Sequence, residues 1–187
     1  MSDLIKSINE SLINLEHLKD KDKEINDAAE LIINCLKNKK KIIFCGNGGS
    51  AADSQHLAAE LMGRYLKDRN PLPAISLTVD TSALTAIGND YGYDNVFSRQ
   101  LRGLGSEGDV LYATSTSGNS KNILEAIKVA KEMGIKVIGI TGKDPRKMKG
   151  ECDILVNVPS DKTNKIQEMH IIVGHFICGR VETTLFP

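Results

Sequence analysis

Two short stretches of this sequence hold residue types suited to binding an anion. The first is Gly46-Asn47-Gly48-Gly49-Ser50, directly after an apolar run at 41–45. Glycine lets backbone amides approach a ligand closely, and a helix N-terminus favours negative charge. A tight turn capped by Ser50 is the plain alternative, but three glycines exceed what a turn needs. The residues also satisfy G-x-G-x-x-A through Ala51, which raises a dinucleotide reading. The acid expected on the ribose would then be Asp80, later than the usual spacing of about 20 residues. The second stretch is Ser115-Thr116-Ser117-Gly118-Asn119-Ser120. Its four hydroxyls, its glycine and the start of a helix suit a phosphate monoester, which needs many donors converging on few oxygens. No P-loop lysine pattern accompanies it, so nucleotide hydrolysis is not expected. An Asn122/Glu125 helix cap would explain one or two of these polar residues, not six in succession.

Titratable groups follow the first loop. Asp53, His56, Glu60 and Arg64 are spaced 3, 4 and 4, one stripe on a helix expected over 50–65, with Ala51, Ala52, Ala58, Ala59 and Met62 on its other side. Every amphipathic helix has a polar face, and on spacing alone that reading is the more economical one. The start of this helix at the glycine loop favours function, because His56 and Glu60 could then grip one metal or share a proton. The last helix carries Gln167, Glu168, His170 and His175 among apolar residues. A lone histidine in such a run, as His175 is, is more often a core residue than a ligand. Gln167 and His175 lie roughly 12 Å apart in helix rise, so spacing alone does not make them partners.

These residues need a scaffold. Apolar runs at 41–45, 74–78, 109–114, 135–141 and 153–158 read as buried strands. Helical patterns occupy 50–65, 82–87, 95–104, 120–133 and 163–184. Strands alternating with helices predict an α/β fold, a doubly wound five-stranded parallel sheet covered on both faces, in one domain over 1–187. Ligands of such sheets bind beyond the carboxyl ends of the strands. Leu4, Ile8, Leu12, Leu15 and Leu18, then Ile25, Ala28, Ala29, Ile32, Cys35 and Leu36, mark an N-terminal helical pair over 1–38. With no sheet of its own, this pair must pack on the core or on a neighbouring subunit.

Composition narrows the function. Among 187 residues, 24 Lys and Arg balance 24 Asp and Glu, and aromatics are 4%. That is no electrostatic footprint for nucleic acid and no base-stacking platform. Cys35, Cys45, Cys152 and Cys178 form no CxxC pair and read as buried thiols of a reducing compartment. The N-terminus has no basic, apolar leader, and no run is long enough to span a bilayer, so a cytoplasmic protein is expected.

The runs GNGGSAADSQHLAAELMGRY, AIGNDYGYDNVFSRQL, GDVLYATSTSGNS, ITGKD and KIQEMHIIVGH, in this order from about Ile42 onward, resemble the sedoheptulose-7-phosphate (phosphoheptose) isomerases of the sugar isomerase (SIS) family. The resemblance implies a cytoplasmic homotetramer that converts sedoheptulose 7-phosphate to D-glycero-D-manno-heptose 7-phosphate. This is the first step toward the heptose of surface lipopolysaccharide or capsule. It implies substrate contacts at Asn47, Gly48, Gly49, Glu60, Asn89, Asp90, Ser115, Thr116, Ser117, Ser120 and Gln167. It implies one Zn²⁺ per subunit held by His56, Glu60, Gln167 and His175, and an acid/base pair of Glu60 and His175. These two roles of Glu60 compete, since a dication lowers the basicity of a carboxylate that it holds. A non-catalytic relative, a regulator that binds a replication initiator, shares the IQEMH run and the TLFP ending. It lacks residues equivalent to Glu60 and His175, both present in this chain. Asn164 stands where some of the isomerases carry an acid.

Overall fold

The computed structural model describes residues 2–187. Among them, five strands form one parallel sheet in the order β2-β1-β3-β4-β5. The strands are β1 (Ile42–Cys45), β2 (Ala74–Ser76), β3 (Val110–Ser115), β4 (Lys136–Thr141) and β5 (Ile154–Asn157). The helices are α1 (Asp3–Leu18), α2 (Asp22–Lys37), α3 (Gly49–Met62), α4 (Thr81–Tyr91), α5 (Val96–Leu104), α6 (Lys121–Glu132) and α7 (Thr163–Leu185).

The strands read as continuous apolar runs because helices cover both faces of the sheet. Successive side chains point to opposite faces. Ile42, Phe44, Val110 and Tyr112 join α2, α3 and α7 in one core. Ile43, Cys45, Leu111 and Ala113 join α5 and α6 in the other. The helix α2 buries Ala28, Ala29, Ile32 and Ile33, whereas α1 leaves Leu4, Ile5, Ile8, Leu12 and Ile13 exposed. No helix of the described residues is long and apolar enough to cross a membrane.

The structure corrects several local expectations. Helix α3 stops at Met62, with Gly63 as its C-cap, so Arg64 lies beyond the helix and leaves the polar stripe. The buried face of α3 is Ser50, Ser54, Leu57, Ala58 and Leu61, while Ala52, Ala59 and Met62 are exposed. Helix α4 is longer than expected: it starts at Thr81, where the Asp80 carboxylate caps it by accepting from the Ala83 amide at 2.9 Å, and runs on to Tyr91 before Gly92. Cys35, Cys45 and Cys178 are buried, but Cys152, on the turn before β5, is only partly so. Burial pushes the Cys45 thiol up to about 12.

Candidate active site

From β1 the chain steps outward to β2, then returns across β1 to build β3 on its other side. This reversal makes the crevice between the β1 and β3 loops a topological switch point, the usual ligand position in an open parallel sheet. The two loops singled out by composition are those two. At the first, Gly48 takes φ +56°, a left-handed conformation in which a side chain would be strained. Gly48 is also the N-cap of α3, and its lack of a side chain leaves that helix start without a side-chain cap; Ser50 is buried inside the helix instead. At the second, Ser115 Oγ lies 2.9 Å from Ser120 Oγ and 3.5 Å from Ser117 Oγ. Helix α6 begins at Lys121, again with no side chain capping it. Asn122 does not form the cap that its spacing from Glu125 suggested. Its amide exchanges two hydrogen bonds with Asn47, at 2.8 and 2.9 Å, and ties the loops together.

Helices α3 and α7 bring the titratable groups together. They approach closely because residue 174 is glycine: a methyl group there would meet the Leu57 side chain. Next to it, His175 Nε2 lies 2.9 Å from His56 Nε2, which lies 3.1 Å from Glu60 Oε1. One donor atom from each of the three lies within 4.8 Å of the others. His175 is therefore no core residue. That description belongs to His170, 2% exposed, whose Nε2 lies 3.2 Å from the Thr141 carbonyl. Burial lowers its imidazole pKa to about 4.

The trio can hold a metal ion. Ligands about 2.0–2.2 Å from a tetrahedral Zn²⁺ stand about 3.3 Å apart, close to the 2.9 and 3.1 Å that separate His56 from His175 and from Glu60, and two imidazoles with a carboxylate are a usual catalytic donor set. A histidine that binds through Nε2 commonly donates its other ring N–H to a carboxylate. Asp53, a neighbour of both His56 and His175, has a buried Oδ2 without a partner. Burial raises the Asp53 carboxyl pKa, and the two imidazoles pull it the other way. Beneath it the Tyr112 hydroxyl is also buried and unpartnered.

The other expected residues come from the first turns of α7 and the end of α4. The Gln167 amide lies over Gly49, close enough that a methyl group there would meet it, which places Gln167 at the glycine loop. Asn89 and Asp90 are exposed at the end of α4, joined to each other at 2.8 Å. Just beyond, the Tyr93 hydroxyl donates to Asn47 Oδ1 at 3.2 Å. Asn122, Tyr93 and Tyr65, whose ring lies 5.8 Å from that of His175, escape sequence reasoning. So does a buried ion pair behind the site, Arg69 with Glu182, at 3.1 Å.

The SIS domain profile matches residues 6–142. The chain is 58% identical to the phosphoheptose isomerase of Rhodospirillum rubrum over 161 residues, 86% of each chain. It is 54% identical to that of Nitratiruptor over 175 residues, 90% of this chain and 94% of the relative. Its fold superposes on the phosphoheptose isomerase of Neisseria gonorrhoeae with a TM-score of 0.91, at 47% identity, covering 96% of this chain and 97% of that one. The corresponding enzyme of Francisella tularensis gives a TM-score of 0.93 at 35% identity, covering 98% and 100%.

Proposed function

The chain belongs to the SIS-domain family, and we propose that Glu60 and His175 serve it as the acid/base pair of an aldose–ketose isomerase. It converts sedoheptulose 7-phosphate to D-glycero-D-manno-heptose 7-phosphate. The observation that carries the reading is the meeting of Glu60 and His175, brought from separate helices to within 4.8 Å, with Glu60 on the helix that the glycine loop begins. A purely regulatory module has no use for that juxtaposition.

Glu60 removes the proton from the carbon beside the sugar carbonyl and returns it to the neighbouring carbon. His175 carries the matching proton between the two oxygens, so an enediol links ketose and aldose. Ser115, Thr116, Ser117 and Ser120 clasp the phosphate, and this remote binding energy positions the reacting end. Asn47, Gly48, Gly49, Asn89, Asp90 and Gln167 contact the sugar chain. His56, Glu60, Gln167 and His175 would hold one Zn²⁺ per subunit, with the Glu60 contact loosened while Glu60 acts as the base, and the ion would supply polarisation of the carbonyl.

The exposed apolar residues of α1 support packing of the N-terminal helices against a neighbouring subunit, in the homotetramer that we propose. We place the enzyme in the cytoplasm, at the first step toward the heptose of a surface polysaccharide. The test is turnover of sedoheptulose 7-phosphate with and without a chelator, in the wild type and in Glu60→Gln. Loss of turnover in the variant, with its melting curve intact, is expected. Near-normal turnover in Glu60→Gln takes Glu60 out of the chemistry, and an inert wild type overturns the assignment.

A further inference from the structure

We infer that Asn122 is a positioning residue for this reaction: it clamps the glycine loop to the phosphate loop across the substrate crevice and leaves Asn47 able only to donate to the sugar. The inference rests on the isomerase reading above and adds to it a residue and a chemical preference.

Asn122 is the second residue of α6, directly after the serine-rich loop, and is 3% exposed. A polar side chain at that depth needs its hydrogen bonds satisfied from within the protein. Its partner comes from the other side of the switch point: Asn122 Nδ2 donates to Asn47 Oδ1 at 2.8 Å, and Asn47 Nδ2 donates to Asn122 Oδ1 at 2.9 Å. A reciprocal amide pair fixes the distance between the two loops and the rotation of both amide planes. The Tyr93 hydroxyl adds a second donor on Asn47 Oδ1 at 3.2 Å. An amide oxygen has two lone pairs and an amide nitrogen two N–H groups. Both lone pairs of Asn47 are therefore engaged, and one N–H of its Nδ2 is left. Asn47 stands half-exposed in the loop that faces the crevice, so what it offers a ligand is a donor for a hydroxyl or carbonyl oxygen. Without Asn122 the Asn47 amide can turn over and present its oxygen instead, and the two loops lose their cross-tie.

The test is a double-mutant cycle of wild type, Asn47→Ala, Asn122→Ala and the double variant. It is read as kcat, KM and the calorimetric Kd for sedoheptulose 7-phosphate, with melting temperatures alongside. Asn122→Ala is expected to lose about tenfold or more in kcat/KM, since it leaves a polar partner unsatisfied. Because Asn122 acts through Asn47, its removal in the Asn47→Ala background adds less than twofold. Asn122→Leu, which keeps the volume and loses the amide, lowers kcat/KM as far as the alanine variant does and serves if that variant fails to fold. Multiplying losses in the cycle, or near-wild-type kcat/KM in Asn122→Leu, overturn the inference. A wild type that binds the sugar phosphate without turning it over overturns the isomerase reading instead, and the cycle is then read in Kd. A wild type that neither binds nor turns it over removes both.

Discussion

Glu182→Ala tests whether the site depends on an ion pair that never touches the substrate. The Glu182 side chain is 3% exposed and its partner Arg69 2%. The carboxylate accepts the backbone amides of Tyr65, Leu66 and Lys67 at 3.0, 2.8 and 2.9 Å, as well as Arg69 Nε. Burial alone would raise its pKa, but these donors outweigh burial and hold it below the usual carboxylate range. Arg69 in turn donates to the carbonyls of Glu60 and Leu61, both at 2.7 Å, which α3 leaves open at its C-terminus. The pair thus anchors the last turn of the helix that carries His56 and Glu60 to the helix that carries His175. Removing one partner leaves a buried guanidinium uncompensated, at a cost of about 3–5 kcal/mol. For a chain of this size that lowers the melting temperature by about 6–20 °C at fixed protein concentration. Scanning calorimetry measures it, and isomerase assays well below the transition measure the looser site, where kcat should fall as well. Arg69→Ala combined with Glu182→Ala should cost less than the two single losses added, because no lone buried charge remains. A melting temperature within about 2 °C of wild type would refute the reasoning, since the pair would then be matched by solvent.

Three further expectations follow from the same geometry. Ser117→Ala with Ser120→Ala raises KM for sedoheptulose 7-phosphate by about tenfold or more, as lost charge-assisted hydrogen bonds to phosphate should; an unchanged KM moves the phosphate elsewhere. Gly49→Ala displaces the Gln167 amide, a movable side-chain end, so the melting curve should hold while steady-state kinetics show a weaker site; unaltered kinetics separate Gln167 from function. His170 has a folded pKa of about 4 against 6.5 in the unfolded chain, so the unfolded state takes the proton first. Its contribution is complete above pH 6.5 and is lost as pH falls toward 4, by up to about 1.4 kcal/mol per pH unit. Urea unfolding across that range should show a shallower decline in His170→Gln, and parallel curves would contradict it.

The alternation of apolar runs with 3.6-period segments was enough to place the strands and helices, because a parallel sheet covered on both faces leaves no other use for runs such as Ile42–Cys45. What periodicity could not show was direction on α7. That helix is apolar on most sides, so His170 and His175 look alike along the chain. At 100° per residue they lie about 140° apart, one turned into the core and the other toward α3. Glu182, seven residues beyond His175, returns to within about 20° of it, and that spacing was a signal open to reading. Asn122 was hidden for a different reason. Its separation from Glu125 is a local pattern that a capping argument satisfies, whereas its partner Asn47 lies 75 residues away. Only the strand order brings the two together: with β1 beside β3, the glycine loop and the serine loop must share one crevice, and any side chain that spans it sets the width available to a sugar phosphate. Residue types thus announced the chemistry of each loop, while the distance between the loops is a property of topology. A change at Asn122 should accordingly be felt at Asn47 before it is felt in the sheet.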